Sequence, residues 1–206
     1  MPAPSRRPIA ARGSAWAQRI ASALARSAIT PNQLSVLSVV FALAGAGALL
    51  QWRGVAGEVA CALAIVLRLL CNLFDGMVAM EGGKGTPSGP LYNEIPDRLA
   101  DSLFLVALGH AAGVVWLGWL AALLAALTAY IRALGGALGQ PQDFRGPMAK
   151  PHRMWLMTAA LLLAAVLPPW RVAILAGAVW LIVVGTALTC VTRTRAVAVR
   201  LRGDAA

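Results

Sequence analysis

Long apolar runs almost free of charge dominate this sequence, and they decide what it can become. Six can be read, at about residues 34–51, 56–78, 97–115, 117–139, 154–169 and 172–192. A helix rises about 1.5 Å per residue, so roughly 20 apolar residues cross a hydrocarbon layer about 30 Å thick. The runs do not alternate between polar and apolar positions, which sets aside a membrane β-barrel. Composition agrees. The chain has 206 residues, of which 59% are hydrophobic and 13% charged, against about 25% charged in soluble domains. Its mean hydropathy is +0.72. The fold class expected is all-α integral membrane, with six transmembrane helices. The least distinct break is the one between the third and fourth runs, where Gly109, Gly113 and Gly118 interrupt nearly continuous apolar sequence.

Charge sets the orientation. With the N-terminus placed in the cytoplasm, 14 of the 18 basic residues fall on the inner side, while only Arg53 and Arg171 lie in outer turns. Such a bias puts both termini in the cytoplasm. It also accounts for the net charge of +10 without nucleic acid, since basic residues at a membrane face anionic headgroups. The first 30 residues hold five Arg but no continuous apolar core, so no cleaved signal peptide is expected. Within them Trp16, Ile20 and Leu24 recur at helical spacing, opposite Gln18, Arg19 and Arg26, as in a helix lying on the membrane surface. "TPNQLS" follows, with Thr30 as cap and Pro31 in the first turn of the next helix. The organisation expected is a basic arm and interfacial helix over residues 1–30, a membrane domain over 31–195 and a basic tail over 196–206. Cys61, Cys71 and Cys190 lie inside apolar runs and read as small buried residues.

Against this background the stretch "NLFDGMVAMEGGKGTPSGPLYNEIPDRLAD", Asn72 to Asp101, holds five of the eight acidic residues. On the second run Arg68, Asn72, Asp75 and Ala79 are spaced by four, three and four, and so share a helical face. Asn93, Asp97 and Asp101 share one on the third run. A short loop joins the two, so the faces can meet at the cytoplasmic edge. Two Asp and two Asn make an oxygen-rich cluster suited to Mg²⁺ or Mn²⁺, and a divalent ion at a membrane edge suggests a phosphate-bearing substrate. Arg68 and Asp101 each lie one turn deeper, at matching depth, and are expected to pair; Asp101 has the rival role of a further metal ligand. The loop "MEGGKGTPSGPLY" reads either as a flexible turn or as a phosphate cradle in which Lys84, Thr86 and Gly89 approach the ligand. Glu81 and Glu94 read as solvated flanking charges. Arg132, within the fourth run, and Lys150 and Arg153, in the loop after it, are candidates for an acceptor or lipid phosphate, with ordinary inner-face charge as the alternative for the loop.

The same stretch resembles the signature of the CDP-alcohol phosphotransferase family, D-x2-D-G-x2-A-R-x8-G-x3-D-x3-D. Its positions fall on Asn72, Asp75, Gly76, Ala79, Met80, Gly89, Asn93 and Asp97, with every spacing kept. "TPNQLS", the six runs and the place of the signature between the second and third are similar too. The first and third Asp are Asn here, and the Arg is Met80, which resembles a divergent bacterial branch. The resemblance implies a transferase of phospholipid biosynthesis in the bacterial inner membrane, its site facing the cytoplasm. It would move a phosphatidyl group from a CDP-alcohol, usually CDP-diacylglycerol, to an alcohol acceptor and release CMP. By position, it implies Asp97 as base and Asn72, Asp75, Asn93 and Asp97 around one or two Mg²⁺ or Mn²⁺ ions. One ion is favoured, because the Asn residues remove two negative charges. Asn32, Gln33, Gly76, Ala79, Thr86 and Gly89 would lie against the CDP-alcohol, with Lys84 standing in for the missing Arg. A homodimer is implied as well. Two alternatives stand beside this reading: a family member that only binds CDP-lipid, motivated by the two Asn, and a small transporter using the intramembrane charges.

Overall fold

The structure is a computed structural model and describes residues 10–203. Arg6 and Arg7 of the basic arm and residues 204–206 of the tail lie outside that range. The described chain forms seven α-helices: α1 Ala15–Arg26, α2 Pro31–Gln51, α3 Val55–Met80, α4 Gly89–Ala111, α5 Val115–Ala137, α6 Lys150–Val166 and α7 Arg171–Gly203. Among the described residues four segments are long and apolar enough to cross a membrane, α2, α3, α5 and the stretch Pro168–Gly203 that contains α7. The chain is a multi-pass membrane protein. α4 carries Glu94, Asp97, Arg98 and Asp101 in its first half, and α6 has only 17 residues.

The chain divides into two compact units, one over residues 8–104 and one containing residues 105–206. In the first, Thr30 caps α2 as the sequence suggests. Its hydroxyl accepts from the Gln33 amide at 3.3 Å while the Gln33 side chain accepts from the Thr30 amide at 2.9 Å, and Pro31 occupies the first turn. A three-residue turn with Gly54 at φ 103° returns the chain into α3. α2 and α3 then pack closely because Gly45 carries no side chain. A Cβ there would overlap the Ala64 Cβ and come within 3.0 Å of the Phe104 ring. Gly45→Ala should therefore cost about 1–3 kcal/mol by overpacking. Gly47→Ala, which meets nothing within 4 Å, should be near neutral. Thermal unfolding of the two variants in detergent checks this, and equal midpoints would refute the close approach.

α1 lies across α3, burying Ala17 and Ala21 against Leu34, Leu73, Phe74, Met77 and Val78, with Leu24 packed at the side. Trp16 meets the Phe74 ring edge-on at 6.2 Å. Its apolar surface is thus divided: the Ala17–Ala21–Leu24 stripe is spent on α3, and Trp16 and Ile20 remain largely exposed beside it.

Two boundaries differ from the sequence reading. Helix α4 starts at Gly89, so Gly89–Tyr92 are helical and the loop shortens to residues 81–88; Pro90 sits in the first turn, where its missing N–H costs nothing. Helix α7 continues to Gly203, taking in most of the expected tail. Between Thr186 and Arg202 it meets neither Gly nor Pro, and Arg, Ala and Leu are good helix formers. In the second unit a Cβ on Gly109 would reach 2.5 Å from the Gly118 Cα, so these two glycines face each other across the α4–α5 turn. The three cysteines are buried and unpaired.

Candidate active site

The polar face of α3 is assembled in the first unit. Arg68 is fully buried, and Asp75, Asp97 and Asp101 are nearly so. The Arg68 Nη2 donates to Asp101 Oδ1 at 2.7 Å, to Asp97 Oδ1 at 3.1 Å and to the Asp97 carbonyl at 3.3 Å. One nitrogen thus ties α3 to two successive turns of α4. The Asn72 side-chain amide donates to the same Asp97 Oδ1. Asp97 Oδ2 faces Arg98 Nη2 at 3.4 Å, which in turn lies 4.0 Å from Glu94. On the other side, the buried Ser35 hydroxyl donates to Asp75 Oδ2 at 2.7 Å. Asn93 lies one turn before Asp97 and is exposed.

Ser35 was not singled out from sequence. The signal was present: Ser35 and Ser38 are the small polar residues in the first turns of an apolar helix, and both are buried. A hydroxyl in such a place is kept for a partner, and here the partner is a carboxylate 40 residues away.

The loop after α3 is tied to the α1–α2 connection. Lys84 Nζ donates to the Ser27 carbonyl at 2.6 Å and to the Ile29 carbonyl at 3.3 Å, which engages two of its three N–H groups. Asn32 Nδ2 reaches the Thr86 hydroxyl at 3.5 Å, and Thr86 lies 3.3 Å from the Ser88 hydroxyl. Gln33 spends its carbonyl oxygen on the helix cap. A Cβ on Gly89 would meet only Thr86 Oγ1, at 3.8 Å, so packing does not require glycine there. Gly76 and Ala79 are partly exposed on α3, and Met80 is exposed at its end.

The second unit holds its own basic cluster. Arg132 Nη1 donates to Gln142 at 2.7 Å, and its guanidinium stacks 5.4 Å from the Phe144 ring centre. The buried Arg153 donates to the Met148 carbonyl at 2.9 Å, and Lys150 is partly buried at the start of α6. The sequence reads Arg193 only as one of the inner-side positive charges after the sixth run. It is buried, donating to the Arg145 and Thr128 carbonyls at 2.8 Å each. Asp143, also passed over, holds the loop: its carboxylate accepts from Arg145 Nη2 at 2.8 Å and Arg200 Nη2 at 3.2 Å. A lone acidic residue in a basic loop was the available clue.

The Arg145 hydrogen bond chiefly holds the Asp143 carboxyl at about 2, below its ordinary 3.8. The folded carboxyl is the stronger acid, so ionisation favours folding. That contribution, about 2 kcal/mol, is full above the ordinary value and is lost as pH falls through about 2. Asp143→Asn should flatten the acid side of the wild-type stability curve between about pH 5 and pH 2. Parallel curves, read as thermal midpoints, would exclude the role.

No family model matches the sequence. The chain is similar to archaetidylinositol phosphate synthase of Aeropyrum pernix, with 36% identity over 146 residues, 70% of this chain and 73% of the relative. It is similar to phosphatidylinositol phosphate synthase of Mycobacterium tuberculosis, with 28% identity over 195 residues, 86% of this chain and 83% of the relative. The crystal structure of the Mycobacterium tuberculosis enzyme with CDP-DAG bound superposes with a TM-score of 0.73 at 24% identity, covering 89% of this chain and 94% of that one. The same enzyme with manganese and citrate gives 0.71 at 23%, covering 88% of each. At that identity the structures speak for the fold. The archaeal relative speaks for more, and with the signature spacing intact from Asn72 to Asp97 this chain belongs to the CDP-alcohol phosphotransferase family.

Proposed function

We propose that this enzyme transfers a phosphatidyl group from CDP-diacylglycerol to a phosphorylated polyol and releases CMP. The observation that carries the reading is the hydrogen-bonded cluster on α3 and α4, in which Asp75 and Asp97 stand at signature spacing, nearly buried and held by neighbours. The named relatives make inositol phosphate the first acceptor to try.

Asp97 takes the proton from the acceptor hydroxyl. The acceptor oxygen bonds to the lipid-side phosphorus as the bond to the CMP oxygen breaks, and CMP leaves with the displaced electron pair. Ser35 fixes the Asp75 carboxylate, and Arg68 fixes Asp97. The donor set of carboxylate and amide oxygens fits a hard divalent cation, held by Asp75 and Asp97 with Asn72 and Asn93 as neutral carbonyl ligands. Bound Mg²⁺ or Mn²⁺ would neutralise diphosphate charge. Asn32, Gly76, Ala79, Thr86 and Gly89 line the CDP-alcohol side. Lys84 and Gln33 shape the loop and the α2 start, with one Lys84 N–H left for phosphate. Arg132, Lys150 and Arg153 are the candidates to meet an acceptor or lipid phosphate. In this reading residues 31–195 form six spans, α4 and α6 included; α1 rests at the interface, and residues 196–206 form the tail. Both termini and the site face the cytoplasm of a bacterial inner membrane, and the enzyme works as a homodimer among its lipids.

The test uses purified protein, CDP-diacylglycerol, Mn²⁺ or Mg²⁺, and inositol phosphate beside glycerol phosphate, serine and free inositol. CMP release that depends on one acceptor is expected. CDP-lipid binding without CMP release for any acceptor would favour the binding-protein alternative, which the Asn72–Asp97 contact motivates.

A further inference from the structure

We propose that Lys84 is a positioning residue for the donor: by tying the loop of residues 81–88 to the end of α1, it holds Thr86 in place before the CDP-alcohol arrives. The inference rests on the transferase reading only for Asn32 and Thr86 lying on the donor side. It gives Lys84 a role exercised through the loop.

The loop is poor in features that would order it from within. Residues 81–88 hold Gly82, Gly83 and Gly85, and Gly83 sits at φ 66°. Glycine loses the most backbone freedom on ordering, so such a segment keeps one shape where bonds from outside hold it. Lys84 makes such bonds. Its Nζ donates to the Ser27 carbonyl at 2.6 Å and to the Ile29 carbonyl at 3.3 Å. These carbonyls stand at and just past the end of α1, where the helix dipole is negative and suits an ammonium. Just before Lys84 the loop also presses on α1: a Cβ on Gly82 would lie 2.9 Å from the Ala25 Cβ.

The anchor for this tie is itself fixed. The Ser27 hydroxyl donates to the Leu24 carbonyl at 2.8 Å and accepts from the Ile29 amide at 3.1 Å. The two carbonyls that Lys84 takes are therefore held relative to α1. One residue on, Thr30 opens the capping box of α2, and Asn32 stands in the first turn. The Asn32 amide lies 3.5 Å from the Thr86 hydroxyl, which lies 3.3 Å from the Ser88 hydroxyl. A 3.5 Å contact is at the long limit of hydrogen bonding and does not order a glycine-rich loop alone. Lys84, two residues before Thr86, makes the charge-assisted bonds that do. A donor that meets a loop already in place need not order it on binding. The benefit falls on affinity and not on the chemical step.

The test uses the full-length protein in mixed micelles. Amide hydrogen exchange of residues 81–88 is read without substrate, the Kd for CDP-diacylglycerol by equilibrium binding, and kcat from CMP release. Lys84→Met should speed loop exchange and raise the Kd, each by about tenfold, with kcat within about twofold of wild type. Ser27→Ala removes no charge, yet it should shift exchange and Kd the same way, because it loosens the anchor. In a Thr86→Val background Lys84→Met should add little to the Kd, since its effect runs through Thr86. Loop exchange or Kd unchanged in Lys84→Met overturns the proposal, and so does a wild-type Kd in Ser27→Ala. Full additivity of Lys84→Met with Thr86→Val also overturns it, and assigns Lys84 to the donor phosphates directly. A tenfold weaker Kd in Lys84→Met, in a protein that releases no CMP with any acceptor, supports the tie and defeats the transferase. CMP release with equal Kd does the reverse.

Discussion

Asp97→Asn is expected to lower CMP release by roughly 10²–10⁴-fold, the usual contribution of a positioned general base. The substitution keeps side-chain volume and removes the charge, so the change falls on proton transfer more than on packing. The position is prepared for this work. Asp97 Oδ1 is fixed by Arg68 and Asn72, from adjacent turns on the same face of α3, and Oδ2 faces the part-exposed edge where Arg98 and Glu94 stand. A base must be ordered before the acceptor arrives, and three donors order this one. Glu81→Gln serves as the control, since Glu81 lies exposed at the end of α3, and it should leave release unchanged. Folding of both variants is checked by thermal midpoint and by size-exclusion profile. An Asp97→Asn protein that stays folded and turns over within tenfold of wild type would remove Asp97 from the reaction.

The elements that meet at this site were legible where helical geometry alone decides. Spacings of four and three put Arg68, Asn72 and Asp75 on one face, and a rise of about 1.5 Å per residue puts Arg68 level with Asp101. The structure has that pair 2.7 Å apart. Periodicity does not say that the same nitrogen also takes Asp97, because that depends on the rotamer Arg68 adopts between two turns of α4. Ser35 stands out as a small polar residue in an apolar helix, but its pairing with Asp75 does not follow from the sequence for a related reason. Its partner is 40 residues distant, and a lone serine near a helix start reads first as local capping chemistry. The loop left two readings open. Its glycines, proline and lysine suit a flexible turn or a phosphate cradle alike, and composition does not show that Lys84 bonds the Ser27 and Ile29 carbonyls or that α4 begins four residues before Asn93. Exposed carbonyls where a helix ends attract a nearby ammonium as readily as a phosphate does. Arg193, just past the sixth run, and Arg200, in the expected tail, read from composition only as inner-face charge. Only the continuation of α7 turns them toward the carbonyls and the carboxylate of the α5–α6 loop.

Arg68→Gln should cost about 3–5 kcal/mol of stability, the range for removing one partner of a buried ion pair. The loss is large because Arg68 is fully buried and answers two carboxylates, not one. Without it, Asp97 and Asp101 face each other across one helical turn with no guanidinium between them. Asp101→Asn should cost less, since Arg68 keeps Asp97 as a counter-charge at 3.1 Å. The informative variant is the double one. Arg68→Gln/Asp101→Asn removes the guanidinium and one of the two charges it neutralises, so it should be more stable than the sum of the single losses predicts, with a coupling of about 1–3 kcal/mol. Unfolding in mixed micelles with EDTA present gives the cycle free of any contribution from a bound ion. Strict additivity would mean that the 2.7 Å contact contributes no coupling energy. A double variant that regains stability while CMP release stays low would separate the two duties of Arg68. The pair with Asp101 holds α3 to α4, and the contact with Asp97 holds the base where the acceptor must come.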